Sequence, residues 1–361
     1  MSNPGPGSAT RQEIFQQPEL WPTTLARVDA AQTQLDLGRR LAGKRILFTG
    51  AGTSAYAARA AATAGTNCLA VPTTDLLVDA ERHLAGVDVL VSLARSGGSP
   101  ESAAVVERVR ALRPDALQLA ITCNPESALT RSALDGILLL DPRTNDRSLV
   151  MTGSFSNLVL AGQALLQRQA VSEAVTICAR HGQSLLPVLD EACRAVAGAA
   201  RERIVMLSSS PLQAWAQEAG LKALEMTAGA FPVVTETFLG LRHGPMSFVR
   251  GDTLVIALLS SDPLRRLYEQ DLLRELRAKR IGYLVGIADV EKADGLFDAV
   301  IPAMAPRLAD ELRTPFEIVA AQLFGYHLSL ARGIDPDNPS PGGVINRVVQ
   351  GVTIHPARPA R

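Results

Sequence analysis

The feature that most constrains this chain is an order of elements that recurs along it. A short apolar run leads into a turn rich in Gly, Ser and Thr, and the turn opens a helix. Arg45 to Thr49 meets Gly50-Ala51-Gly52-Thr53-Ser54, and a small-residue helix follows from Ala55 to Ala64. Val89 to Leu93 meets Ala94-Arg95-Ser96-Gly97-Gly98-Ser99-Pro100-Glu101-Ser102, with a helix from Ala103 to Leu112. In the second half, Arg203 to Leu207 meets Ser208-Ser209-Ser210-Pro211 and the helix Leu212 to Ala228. Thr253 to Leu258 then meets Ser260-Ser261-Asp262-Pro263 and the helix Leu264 to Arg280. Ala116 to Thr122, Gly136 to Leu140, Tyr283 to Ile287 and Val300-Ile301 supply further strands. Strands that alternate with helices pair in parallel and carry helices on both faces. The repeated outline predicts an α/β chain with two doubly wound parallel-sheet domains related by duplication. In such sheets ligands lie beyond the carboxyl ends of the strands, where all these polar turns fall.

With 361 residues, of which 47% are hydrophobic, there is material for two cores. The expected division is an N-terminal arm (1–43), a first domain (44–198), a second domain (199–332) and a tail (333–361) packing near the active site. The arm should start disordered over residues 1–10 and continue as two helices separated by Pro22. Charge is balanced, 36 basic against 36 acidic, and aromatics make up 4%. That combination predicts neither a nucleic-acid partner nor attraction to an anionic membrane, and it offers no base-stacking platform. No apolar run reaches the roughly 20 residues that span a bilayer, and no secretory h-region is visible, so the expected location is cytoplasmic. Cys68, Cys123, Cys178 and Cys193 show no metal-like spacing, and reduced, mostly buried thiols are expected.

The stretch Gln217 to Pro245 carries the densest chemistry. Glu218, Lys222 and Glu225 share one face of a helix, because a helix turns once in about 3.6 residues. Arg242-His243-Gly244-Pro245 then sets a histidine in a turn. Two carboxylates, an ammonium and an imidazole suit proton transfer on a small polar substrate. On spacing alone, a solvated helix face with i,i+4 pairs fits as well. The Gly50–Ser54 turn suits an anion at a helix N-terminus, but it lacks both the P-loop lysine and the later glycine of a dinucleotide fingerprint. His83, His181, His327 and His355 lie outside these motifs and read as structural or surface residues. His327, in the helix before the tail, is the one that could approach the site.

Taken together, GAGTSA (Gly50 to Ala55), ARSGGSPES (Ala94 to Ser102), NDRSLVMTGSF (Asn145 to Phe155) and the pattern E-x3-K-x2-E followed by HGP resemble a tandem sugar isomerase (SIS) domain protein. The likeness runs from about Lys44 to Ile354. The form ARSG with SPES, the NDR segment and the tail NRVVQGVTI (Asn346 to Ile354) resemble the stand-alone galactosamine-6-phosphate deaminase/isomerases. These are also called tagatose-6-phosphate ketose/aldose isomerases. Glucosamine-6-phosphate synthases share the helix and the HGP turn, but after a glutaminase domain that has no counterpart here.

The resemblance implies that Gly52, Thr53 and Ser54 form the first sugar-phosphate loop, and that Ser96 and Ser99 hold the phosphate with Arg95 beside them. It assigns Glu225 as the base that moves a proton between C1 and C2, with His243 opening the ring. Glu218 and Lys222 are the supporting pair. Gln350 stands where the synthases have a Schiff-base lysine, so no covalent step is expected. Neither cofactor nor metal is implied. The expected reaction converts a 2-amino-2-deoxyhexose 6-phosphate, galactosamine-6-phosphate favoured, to tagatose-6-phosphate and ammonia in amino-sugar catabolism. The alternatives are a glucosamine-6-phosphate deaminase, a plain aldose–ketose phosphosugar isomerase, or a non-catalytic sugar-phosphate sensor. The resemblance also implies a homodimer, or a higher homo-oligomer, in which His243 serves the neighbouring subunit's site; Thr235 to Arg242 reads as an extended excursion whose apolar Phe238 and Leu239 such a dimer would bury.

Overall fold

The computed structural model describes residues 5–199, 201–289 and 295–356. In chain order the elements begin with α1 (Ser8–Phe15), α2 (Gln17–Leu35), α3 (Leu37–Leu41), β1 (Ile46–Thr49), α4 (Thr53–Ala62), β2 (Cys68–Ala70) and α5 (Thr73–His83). They continue with β3 (Val89–Ala94), α6 (Pro100–Leu112), β4 (Leu117–Thr122), β5 (Gly136–Leu139), α7 (Gly153–Leu166) and α8 (Arg168–Gly198). The second half holds β6 (Arg203–Leu207), α9 (Gln213–Met226), β7 (Val233–Glu236), α10 (Phe238–Leu241), β8 (Thr253–Leu258) and α11 (Pro263–Lys279). It ends with β9 (Tyr283–Ala288), β10 (Ala299–Pro302) and α12 (Asp310–Ala331).

Two compact units result, and neither is a single run of sequence. The first-sheet unit comprises Glu19–Asp146, Gly153–Val175 and the tail from Gly342. The second-sheet unit takes the chain up to Pro18, Arg147–Thr152 and Thr176–Pro341.

In the first-sheet unit the strand order is β2-β1-β3-β4-β5, all pairs parallel. Phe48, Leu90, Val91, Leu119 and Ile121 are buried, as strands covered on both faces require. One face packs α5 and α6 through Leu76, Leu84, Val105 and Val109. α4 and α7 pack together as well, at a contact where Gly162 meets Ala61. The second-sheet unit has the order β10-β9-β8-β6-β7, again all parallel. There α11 covers Val255 and Leu284 with Leu272, Leu273 and Leu276, and α9 packs on α12. Matched strand by strand, β6 is the counterpart of β1, β7 of β2, and β8 of β3. This is the doubly wound architecture expected of both halves.

Several local expectations are corrected. Pro22 does not separate two helices; it lies inside α2, and the break comes at Gln16. Leu20 and Trp21 before the proline, and Leu25 and Val28 after it, are all buried. That burial outweighs the one ladder bond that a proline removes. Residues 8–10 are helical rather than disordered, because Asp335 and Asp337 accept from the N–H groups of Gly7 (2.8 Å), Ala9 (3.1 Å) and Thr10 (2.7 Å). Residues 1–4 lie outside the described residues. β2 and α5 were not read from the sequence at all. The 235–242 segment is not an extended excursion: Thr237 caps α10 by accepting from Gly240 N at 2.9 Å, and Phe238 is buried in its own unit's core.

Gly162 in α7 is required by this packing, since a Cβ there would come within 2.6 Å of Ala61 Cβ. Gly162→Val should therefore destabilise the protein by about 1–3 kcal/mol and lower the thermal midpoint. Gly38→Ala, whose Cβ meets open space, should leave that midpoint within error. Calorimetry on the pair separates the steric cost at α4–α7 from a general glycine effect.

Candidate active site

The first-sheet unit places its polar turns by topology. The chain goes from β1 outward to β2, then crosses back to set β3 on the other side of β1, with Thr49 in register with Ser92. This reversal is the switch point at which the loops following two neighbouring strands part and leave a crevice. The loops that leave there are Gly50–Gly52 and Arg95–Ser99. Gly50 cannot carry a side chain, since a Cβ would lie 2.4 Å from Ser54 O. Gly52 caps α4 at φ 56°, in the left-handed region. α4 starts at Thr53, so the Thr53 and Ser54 hydroxyls belong to its first turn, at the end of a helix that favours an anion. Both residues are buried. Thr49 and Thr73 brace the turn through their hydroxyls at 3.1 Å.

In the second loop, Ser99 is the N-cap residue of α6 and Pro100 its first residue. Ser99 Oγ donates to Glu101, and Gly98 N donates to Ser96 Oγ at 3.3 Å. Asn124 Nδ2 holds the Ser96 carbonyl at 2.9 Å. Arg95, expected beside the phosphate ligands, is buried at the root of the loop, where its Nη2 donates to the Arg347 carbonyl at 2.6 Å. Arg347 in turn donates to Asn145 Oδ1 (2.7 Å) and the Asp146 carbonyl (2.5 Å). Asp146 accepts from Gly153 N and Ser154 N at the head of α7. The tail is thus fastened beside the serine loop, with Val348 over Gly98, while Gln350 is exposed. Sequence reasoning missed Arg347 and Glu101. The tail motif was the available signal for Arg347, and the SPES run held Glu101 without revealing its bond.

In the second-sheet unit, α9 carries Glu218, Lys222 and Glu225. Gly220 lets the helix approach β7, because a Cβ there would lie 2.4 Å from Thr235 Cγ2. Trp215 Nε1 ties α9 to α12 through the Glu317 carbonyl at 3.1 Å. Lys222 Nζ lies 3.1 Å from Glu218 Oε1 and 2.7 Å from Glu225 Oε2. The Lys222 and Glu218 side chains are fully buried, whereas Glu225 keeps 25% exposure. The three residues therefore do not form a solvated face. Burial pulls the ammonium's pKa down, but the fields and hydrogen bonds of Glu218 and Glu225 more than offset it, so Lys222 titrates above the usual 10.5. His243 is exposed, its N–H donating to Gly240 O at 2.9 Å, and Gly244 follows at φ 123°. Arg242 pairs with Glu275 at 2.7 Å. His327 is bonded to Asp190 at 2.7 Å, and Asp190 also takes Arg11. The described cysteines are free, and burial pushes the Cys123 thiol up to about 12, which leaves it an inert core residue.

Residues 42–168 match the SIS domain family. The chain is 37% identical to a D-galactosamine-6-phosphate deaminase AgaS of Escherichia coli, over 97% of this chain and 96% of that protein. It is 35% identical to one of a Shewanella species, over 96% and 92%. The structure of tagatose-6-phosphate ketose/aldose isomerase from Escherichia coli superposes with a TM-score of 0.86 at 34% identity, covering 98% of this chain and all of that one. Among the described residues no helix is long and apolar enough to cross a membrane.

Removing the ammonium leaves Glu218 buried without its counter-charge. Lys222→Met should cost about 3–5 kcal/mol in urea unfolding. The folded-state pKa of Lys222 is raised, so its contribution is complete below pH 10.5 and is lost as pH climbs through the raised value. Lys222→Arg keeps its charge there, so its stability should fall less steeply than wild type across that alkaline window.

Proposed function

The chain belongs to the SIS-domain family that includes the AgaS D-galactosamine-6-phosphate deaminases, and we propose that it acts as a deaminase/isomerase on a 2-amino-2-deoxyhexose 6-phosphate, galactosamine-6-phosphate above others. The products are the ketose 6-phosphate and ammonia. The observation that carries this reading is the α9 triad: a carboxylate with one quarter of its surface exposed, held by a buried, charged lysine. Such a group can reach a substrate carbon and stay fixed in one rotamer.

The chemistry follows from the groups. The substrate arrives as a closed ring, and His243 relays a proton from the C1 hydroxyl to O5 to open it. Glu225 removes the C2 proton and delivers it to C1 through an enolamine, leaving an imine at C2. Water adds to that imine and ammonia leaves, which balances the reaction. Thr53, Ser54, Ser96 and Ser99 hold the phosphate, a remote handle whose binding energy orients C1 and C2. In this reading Ser99 exchanges its bond to Glu101 for one to the phosphate. Arg95 sets the loop by its bond to the tail rather than by touching substrate. Lys222 and Glu218 position Glu225.

A homodimer completes the reading. His243 is exposed just after α10, and Leu239 in that helix is 43% exposed. An isologous contact would cover both and hand each histidine to the partner. Phe238 no longer contributes to that case, since its own unit buries it.

Ammonia release from galactosamine-6-phosphate tests the activity; a ketose phosphate formed from an aldose phosphate without ammonia would make the chain a plain isomerase. Glu225→Gln should lower turnover about 10²–10⁴-fold with substrate affinity retained. Near-normal turnover would remove Glu225 as the proton carrier. Glu225→Gln mixed with His243→Ala should recover up to about a quarter of wild-type activity, the yield of random exchange in a two-fold dimer. If verified heterodimers stay inactive, His243 does not act across subunits.

A further inference from the structure

The second-sheet unit has the same switch point as the first. β6 lies between β7 and β8, with Leu207 in register with Ala257, so the loops Ser208–Pro211 and Leu259–Asp262 leave one edge together. The loop after β8 is the counterpart of the one after β3. Each offers serines, then a capping residue, then a proline at the first helical position: Ser99-Pro100 in one, Asp262-Pro263 in the other. In the second-sheet unit the donors of this loop converge on Asp310, the first residue of α12, which is 2% exposed. Its Oδ1 accepts from Ser261 N (2.8 Å), Ser261 Oγ (3.0 Å) and Arg313 Nη1 (3.0 Å). Its Oδ2 accepts from Ser260 Oγ and from Arg265 Nη1 (3.2 Å). Beside it, buried Glu269 accepts from Ser260 N at 2.9 Å.

Two hydroxyls, a backbone N–H and two guanidinium groups closing on one acid form the donor set of an oxyanion site. A helix-terminal aspartate needs far less. Arg313 is itself buried and also pairs with Glu317 at 3.0 Å, while Arg265 keeps 43% of its side chain exposed. The cluster therefore has a closed floor and a side open to solvent. We propose that this is a second oxyanion site whose resident anion is the chain's own Asp310, so that each chain takes up sugar phosphate through its first-sheet unit alone. Once the carboxylate is removed, the same donors accept a small free oxyanion, formate or inorganic phosphate. The inference borrows only its ligand class from the phosphate-loop reading above. Its readout is stability, so a failed ammonia assay leaves it standing.

The test compares wild type, Asp310→Ala and Asp310→Asn as intact proteins by thermal unfolding. Each is titrated with sodium formate or sodium phosphate against chloride at equal ionic strength. Asp310→Ala should melt roughly 5 °C or more below wild type in chloride, because Arg313 and Arg265 each lose one of their two acidic partners and the serine donors lose their acceptor. Formate or phosphate should restore most of that loss with saturation, beyond any shift they cause in wild type. Asp310→Asn fills the same space with a neutral group and should remain lowered and unresponsive. Equal responses in wild type and Asp310→Ala, or an Asp310→Asn response as large as that of Asp310→Ala, would overturn the proposal. If Asp310→Ala does not fold in chloride, refolding yield is read instead. Recovery of folded protein in formate or phosphate supports the site, and no recovery in either sinks it.

Discussion

Parallel pairing sets the terms for both units, because it sends every strand of a sheet out through one edge. The backbone N–H groups of the following helices then gather at that edge with the turn hydroxyls, and nothing in the sheet can satisfy them. The chain meets this demand in two ways. In the first-sheet unit the switch-point loops are Gly50–Ser54 and Ser96–Ser99, to which the proposed function gives the sugar phosphate. In the second-sheet unit the corresponding donors close on Asp310 and Glu269. The two crevices are therefore alike in topology and unlike in chemistry. The difference is made by two buried acids, Glu269 in α11 and Asp310 at the start of α12.

What could be read from the sequence follows the reach of each interaction. The strands β1, β3, β6 and β8 were legible because apolar runs and Gly/Ser turns are local signals. β2 escaped because Cys68–Ala70 has only three residues, all half-buried, too short for any periodicity to register. Pro22 misled because a breaker is a local rule and the burial of Trp21 is a tertiary fact. Phe238 misled for the same reason: its cover comes from the α11 core, which no spacing near residue 238 announces. The motif residues of the site were all visible, and their grouping on α9 came from helical period alone. Their burial did not. A Glu-Lys-Glu face reads identically whether it meets water or the protein interior. Asp310 was the least legible of all, since 49 residues separate it from the serine that it binds.

The tail illustrates a further kind of dependence. Arg347 spans Asn145 and Asp146 while its own carbonyl holds Arg95, so a C-terminal residue braces both the serine loop and the head of α7. An arginine makes such a bridge where a lysine would not, because its planar fork presents several donors at fixed angles. The serine loop has two glycines at its centre, one of them, Gly97, at φ 59°. A loop of that composition needs an outside constraint to keep its hydroxyls in place, and the tail supplies it.

The α9 triad raises the question of why two carboxylates share one ammonium when a single pair would be neutral. Glu218 and Lys222 are wholly buried, so Lys222 cannot give up its proton without leaving Glu218 uncompensated in a medium of low polarity. Glu225 is the member that retains exposure. When Glu225 takes up a proton, the remaining Lys222–Glu218 pair is neutral and still bonded at 3.1 Å. Glu225 in turn lies 2.7 Å from Lys222 Nζ. Without Glu218, a proton on Glu225 would leave Lys222 a buried cation without a counter-charge. Glu218 thus keeps Lys222 paired in both stages of the proton transfer that the proposed function gives to Glu225, and that is what a positioning residue for a proton carrier has to do.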